Sequence, residues 1–143
     1  MKCSRVFPAI GFALLAGLAA AQDAAPEKDV ELRPAPDYFV EAVVASTTAQ
    51  QIARACEALS LDPPRVQAMT GAVLQRLLDD GFDLERPDGG MKESQDKFAA
   101  EQVKFMAKHG LEGAISSEMI CAAGTAEIEE GTAIGALLIA VPG

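Results

Sequence analysis

Three cysteines, one histidine, a few serines and some adjacent acids are the residues of this 143-residue chain whose chemistry could exceed packing. Cys3 stands ahead of an apolar run, whereas a lipidation cysteine stands just behind one. Cys56 and Cys121 lack the Cys-x-x-Cys spacing, and no run of cations stands beside either to lower a thiol pKa, so redox chemistry is not expected of them. Their expected role is a structural disulfide. His109 precedes Gly110 at an expected helix end, where an imidazole interacts favourably with the helix dipole; capping is its expected role. One histidine without free cysteine ligands does not make a usual zinc site. Ser116 and Ser117 read as helix caps, since no Gly-x-Ser-x-Gly elbow is present. Asp79-Asp80 and Glu129-Glu130 are adjacent on helices and so point in different directions, which suits solvated charge better than a carboxylate dyad. There is no phosphate-binding or dinucleotide fingerprint and no calcium-loop spacing. No catalytic, cofactor-binding or metal-ligating constellation is expected.

The compartment follows from the first residues. Lys2 and Arg5 precede the apolar stretch Phe7 to Ala20, and Ala19-Ala20-Ala21 offers a small-residue cleavage site before Gln22. That is the layout of a secretory signal peptide over residues 1–21. Its apolar run is short for a membrane span, which needs roughly 20 apolar residues. Cleavage leaves two cysteines in an oxidising compartment, where they are expected to pair. Closing a loop of about 65 residues contributes about 4 kcal/mol in the chain-entropy account. The chain has 12 Lys and Arg against 21 Asp and Glu, and losing two cations with the leader takes its formal charge from −9 to −11. Phosphate backbones and anionic lipid repel such a protein, which argues against nucleic-acid binding. A soluble periplasmic or secreted product, with no membrane span after cleavage, is the expectation.

The remaining elements must form one domain. Residues 22–36 mix proline with charge and read as a flexible arm. From Asp37, an expected N-cap, Tyr38, Ala42, Ala45, Ala49, Ile52, Cys56 and Leu59 recur at steps of three and four and define one helix face. Asp62-Pro63 restarts a helix carrying Val66, Met69, Val73, Leu74, Leu77 and Leu78, ended by Gly81. A third helix begins within Met91 to Ser94, has Phe98, Ala99, Val103, Phe105 and Met106 as its expected buried set, and stops at Gly110. A fourth follows Ser116 or Ser117, with Gly124 inside it as a point of close approach. Glu129 and Glu130 sit unfavourably at its C-terminal end. Thr132 caps a last short helix bearing Ile134, Leu137, Leu138 and Val141. The fold expected is therefore all-α, a small bundle of four main helices plus a short C-terminal helix over residues 37–141, with one disulfide. The run from Ile134 to Val141 is expected to fold back onto it.

The late segment Ile120-Cys121-Ala122-Ala123-Gly124-Thr125-Ala126-Glu127-Ile128, then Gly131 and Gly135, resembles a family of short secreted proteins of Gram-negative bacteria known only as a domain of unknown function. Ile52 to Cys56 is similar to that family's early helical element, and Gly81-Phe82 to its mid-chain turn. The resemblance spans roughly Tyr38 to Leu138, and marks Gly124, Glu127, Ile128, Gly131 and Gly135 as structural motif residues around the Cys56 and Cys121 pair. Thr125 and Ile139 stand where the family commonly has arginine. It implies a fold and a disulfide and no activity. The expected role is non-catalytic: a periplasmic accessory or binding domain, chaperone-like, taking a protein or a small apolar ligand. An alternative is a secreted inhibitor or interaction module presenting an apolar groove. A hydrolase ranks third, because no nucleophile–base pair is visible.

Overall fold

The computed structural model describes residues 31–86, 88–92 and 94–142; the expected signal peptide and most of the expected arm lie outside them. The chain runs through β1 (Arg33–Pro34), α1 (Asp37–Ala55), β2 (Leu59–Leu61), α2 (Pro63–Asp79), β3 (Met91–Lys92), α3 (Gln95–Lys108) and α4 (Ser117–Glu130), then a 3-10 turn at Gly135–Leu137 and β4 (Leu138–Ala140).

Helix α1 is the central element. It packs on α2, α3, α4, β2 and the 3-10 turn, so it buries a face wider than its three-and-four stripe. Val40, Val44 and Thr48 are buried with Ala45, Ala49 and Ile52, whereas Tyr38 and Ala42 are half-buried. Alanine at 45 and 49 lets neighbouring elements come close. Pro36, not Asp37, occupies the N-cap position, and Asp37 is the first helical residue, where its negative charge suits the helix dipole. The helix stops at Ala55, so Leu59 reaches the core from a strand rather than from the helix.

Asp62 caps α2, accepting from the Arg65 backbone N–H at 3.1 Å, with Pro63 in the first turn as expected. At the other end Gly81 takes φ 75°, and Phe82 N–H donates to Leu77 O at 2.9 Å, which turns the chain inward and buries Phe82. Arg33 lies over the Phe82 ring at 3.7 Å and donates to Asp80 O at 3.0 Å, and the Tyr38 hydroxyl donates to Asp80 Oδ2 at 2.7 Å. These contacts fasten the start of the domain. Residues 33–35, expected as the end of a free arm, are therefore part of the fold: β1 pairs in parallel with β3, and Ala35 is buried with Val40 and Val44.

The short C-terminal helix is replaced by one 3-10 turn and a strand. Strand β4 runs antiparallel to β2, with Leu59 opposite Ala140, Ser60 opposite Ile139 and Leu61 opposite Leu138. Pro63 and Pro142 each disfavour the helical conformation at the residue just before them, and the short apolar runs ahead of them extend by pairing with one another. The run still folds back: Leu137 and Leu138 complete the main core with Ala45, Ala49, Ile52, Cys56 and Leu59. The fold is thus a four-helix domain with two small two-stranded sheets, not strictly all-α. Among the described residues no helix is long and apolar enough to cross a membrane.

Helix α3 departs most from expectation. None of its residues is buried. Phe98 and Phe105, two turns apart, rest half-buried against α1 and its neighbours, and Phe98 meets Phe39 edge to face at 6.5 Å. Ala99, Val103 and Met106 lie on a different face and are exposed, Val103 to 65 %. Among the described residues the helix has α1 as its main helical neighbour, and they leave one of its two apolar stripes uncovered.

Candidate functional site

Cys56 is the C-cap residue of α1 and Cys121 lies in the second turn of α4; their sulfurs are bonded, with Cα atoms 5.2 Å apart. Cys56 is fully buried and Cys121 half-buried. The bond joins the end of the first helix to the early part of the fourth, across 65 residues of sequence.

Beside this brace, two of the three motif glycines, Gly124 and Gly135, meet neighbours of very different hardness. A Cβ at Gly124 would come within 2.5 Å of Leu59 Cδ1 and 2.6 Å of Ile52 Cγ2, so the expected close approach is real and involves both α1 and β2. A Cβ at Gly135 would sit 1.9 Å from the Glu127 carbonyl oxygen, which is backbone. Gly131 closes α4 in the left-handed region at φ 66°, and Thr132 N–H returns to Glu127 O at 3.2 Å. Ile128 packs half-buried on the core.

The side chain these turns position is Glu127. It lies on the inner face of α4 with Ala123 and Gly124, and its side chain is 3 % exposed. Oε1 receives Lys108 Nζ at 2.8 Å and lies 2.6 Å from His109 Nε2, while Oε2 accepts from the Thr132 hydroxyl. Thr132 Oγ1 in turn accepts from Gly135 N–H at 3.1 Å; the short helix it was expected to cap is replaced by the 3-10 turn, whose N-cap position is Ile134. Lys108 also reaches Glu130, which gives that acid a cationic partner at an otherwise unfavourable helix end. Burial is the largest influence on Glu127 and on its own would raise its carboxyl. Hydrogen bonds from Lys108, Thr132 and His109 together outweigh it and hold the group below the usual glutamate range. Pairing with Glu127 and Glu130 raises the Lys108 ammonium.

His109 is the C-cap residue of α3 as expected, but its ring does more than cap: it stacks obliquely on Phe105 at 4.7 Å and addresses Glu127. The hydrogen-bond order sets what this cluster can do. Nucleophilic catalysis needs a base between hydroxyl and acid. Here the carboxylate stands between imidazole and hydroxyl, so the arrangement holds the ends of two helices together. Lys108 is the member that sequence reasoning missed. The legible sign was a glutamate four residues after Ala123, on a helix face otherwise made of small and apolar residues.

The adjacent acids and the serine cap take structural roles. Asp79 accepts from Gln75 at 2.9 Å while Asp80 serves Tyr38, so the adjacent pair diverges. Ser116 caps α4 through Met119 N–H at 3.3 Å. Among the described residues no three His, Cys, Asp or Glu side chains are arranged to hold a metal ion.

Two clefts flank α3. One, of about 260 Å³, lies over Val44 and Ala45 and is rimmed by Glu41, Glu101, Lys104, Lys108 and Glu127. The other, of about 270 Å³, is lined mainly by Ile52, Phe105, Met106, Leu111, Ile115 and Ile120, with Thr48, Gln51 and Gln102 at its polar side. Met106 and Ile115 at its mouth are exposed.

Fold and site define a small helical domain braced by one disulfide and one buried carboxylate cluster. The chain belongs to the family of unknown function DUF5333, whose model matches residues 32–139. No curated protein and no solved structure matches it.

Proposed function

We propose that this is an exported, non-catalytic binding protein that engages apolar side chains of other proteins along α3. The observation that carries the reading is the uncovered apolar stripe of α3, Val103 and Met106, running into the cleft formed by Met106, Ile115 and Ile120. At about 270 Å³ the cleft falls just below the range of roughly 300–1,000 Å³ usual for small-molecule sites, which favours protruding side chains over a whole ligand. The signal-peptide layout and the disulfide support an oxidising compartment outside the cytosol. The hydrogen-bond order at Glu127 speaks against hydrolysis.

Light scattering of an aggregating, reduced client protein tests the chaperone-like form. The wild-type chain at stoichiometric amounts suppresses scattering, and the exposed-site variants Val103→Glu and Met106→Glu, both still folded, do not. Equal suppression by variants and wild type removes the α3 face, and no suppression by the wild type removes chaperone-like binding. The alternative, an inhibitor or interaction module with one dedicated partner, is favoured by the definite cleft beside the stripe; a stable one-to-one complex that Met106→Glu abolishes would select it.

A further inference from the structure

The two ends of α3 are tied down by carboxylates of opposite character. At its N-terminal end Lys97 Nζ donates to Asp37 Oδ1 at 2.7 Å and to Ala35 O at 3.1 Å, but the Asp37 side chain is 84 % exposed. Water and salt screen that pair, and such pairs hold little. At its C-terminal end Lys108 and His109 converge on a carboxylate whose side chain is 3 % exposed. Between the ends, α3 has no buried residue and rests on Phe98 and Phe105. We propose that Glu127 is an acid-released latch: ionised, it holds the end of α3 against α4, and its protonation frees α3 and opens both clefts that this helix walls.

The chemistry of the three partners explains the release. An ionised carboxylate only accepts, and here its oxygens take donors from Lys108, His109 and Thr132. A proton on either oxygen turns an acceptor into a donor and removes the charge that faces the ammonium. Lys108 has an alternative in Glu130, and the Thr132 hydroxyl has one in Glu127 O at 3.4 Å, so both can leave the carboxyl. The His109 ring, only 8 % exposed, then has a weakened partner. The other charged groups at this cleft are Glu41 of α1 and Glu101 and Lys104 of α3; Glu41 and Lys104 are exposed, half-buried Glu101 accepts from Lys104 at 2.6 Å, and none of the three hydrogen-bonds to Glu127. Burial makes Glu127 the decisive acid. Because its partners hold the carboxyl below its ordinary value, release belongs below about pH 4.5. The latch is a property of helix packing and does not rest on what the clefts bind.

Amide hydrogen exchange, corrected for the intrinsic pH dependence of exchange, reads the latch directly. Between about pH 6 and about pH 3, protection of α3 in the wild-type chain is expected to fall at least about tenfold further than that of α1. Asp37→Asn should leave this response in place. Glu127→Gln should show weakened α3 protection already at the higher pH and no acid step. If that variant does not fold, Thr132→Val supplies the test: one hydrogen bond fewer to the carboxylate moves the α3 release midpoint to higher pH. Parallel loss of protection in α1 and α3, a Glu127→Gln chain with the wild-type acid response, or an unmoved midpoint in Thr132→Val would each overturn the proposal.

Discussion

A glutamate on the inner face of a helix, next to two glycines at points of close approach, sets the energetics of this protein at the residue scale. Gly124 and Gly135 separate two kinds of crowding. Alanine at 124 would press on the side chains of Leu59 and Ile52 and gains about 1 kcal/mol of helix propensity; set against overpacking of about 1–3 kcal/mol, this leaves a net loss of no more than about 2 kcal/mol. Alanine at 135 would press on backbone that cannot move without breaking the end of α4, so its cost should exceed about 3 kcal/mol. Urea denaturation midpoints will rank the two, and a milder Gly135→Ala would contradict the close approach. His109→Ala removes a donor from the buried carboxylate and should cost about 1–3 kcal/mol in the same measurement.

Helix α3 is the element whose surroundings matter most. It was expected to bury five apolar residues; it half-buries two and leaves Ala99, Val103 and Met106 in water. Polar substitution at Val103 should therefore change stability by no more than about 0.5 kcal/mol, whereas Phe105→Ala should cost at least about 2 kcal/mol, as read by thermal melts. The polar tie at the end of this helix also gives the domain an acid edge. A carboxyl held below its ordinary value contributes stability that is fully present above the unfolded-state pKa and is lost as pH falls through the folded value. Denaturation midpoints should decline below about pH 4.5, with the decline reduced in Glu127→Gln.

For the whole molecule, the disulfide and the split core decide how much loss is tolerable. The main cluster around Ile52, Leu59 and Leu138 is small, and the second, around Ala35 and Val40, lies along α1 from it. A bond closing 65 residues contributes about 4 kcal/mol against a net stability of about 5–15 kcal/mol for such domains. Replacing Cys56 and Cys121 together by alanine should lower the melting temperature by well over about 10 °C, given about 4–8 °C per kcal/mol at this size. A melting point indifferent to that replacement would show that the helices alone carry the fold.

Local chemistry in the chain determined four helices, the Asp62 cap, a serine cap at 116 or 117 and the glycine stops, because caps, turns and a 3.6-residue period act within a few residues; the pairing of Cys56 with Cys121 followed from cysteine count, and the close approach at Gly124 from a glycine inside a helix. Three features waited for the tertiary structure. Leu59–Leu61 and Leu138–Ala140 became strands because each found the other across 79 residues, and short apolar runs do not declare their period. Residues 33–35 joined the fold because Gly90 and Phe82 came to meet them. The Glu127 cluster draws on α3, α4 and the turn after it, and only their packing tells a buried glutamate with three donors from a solvated one.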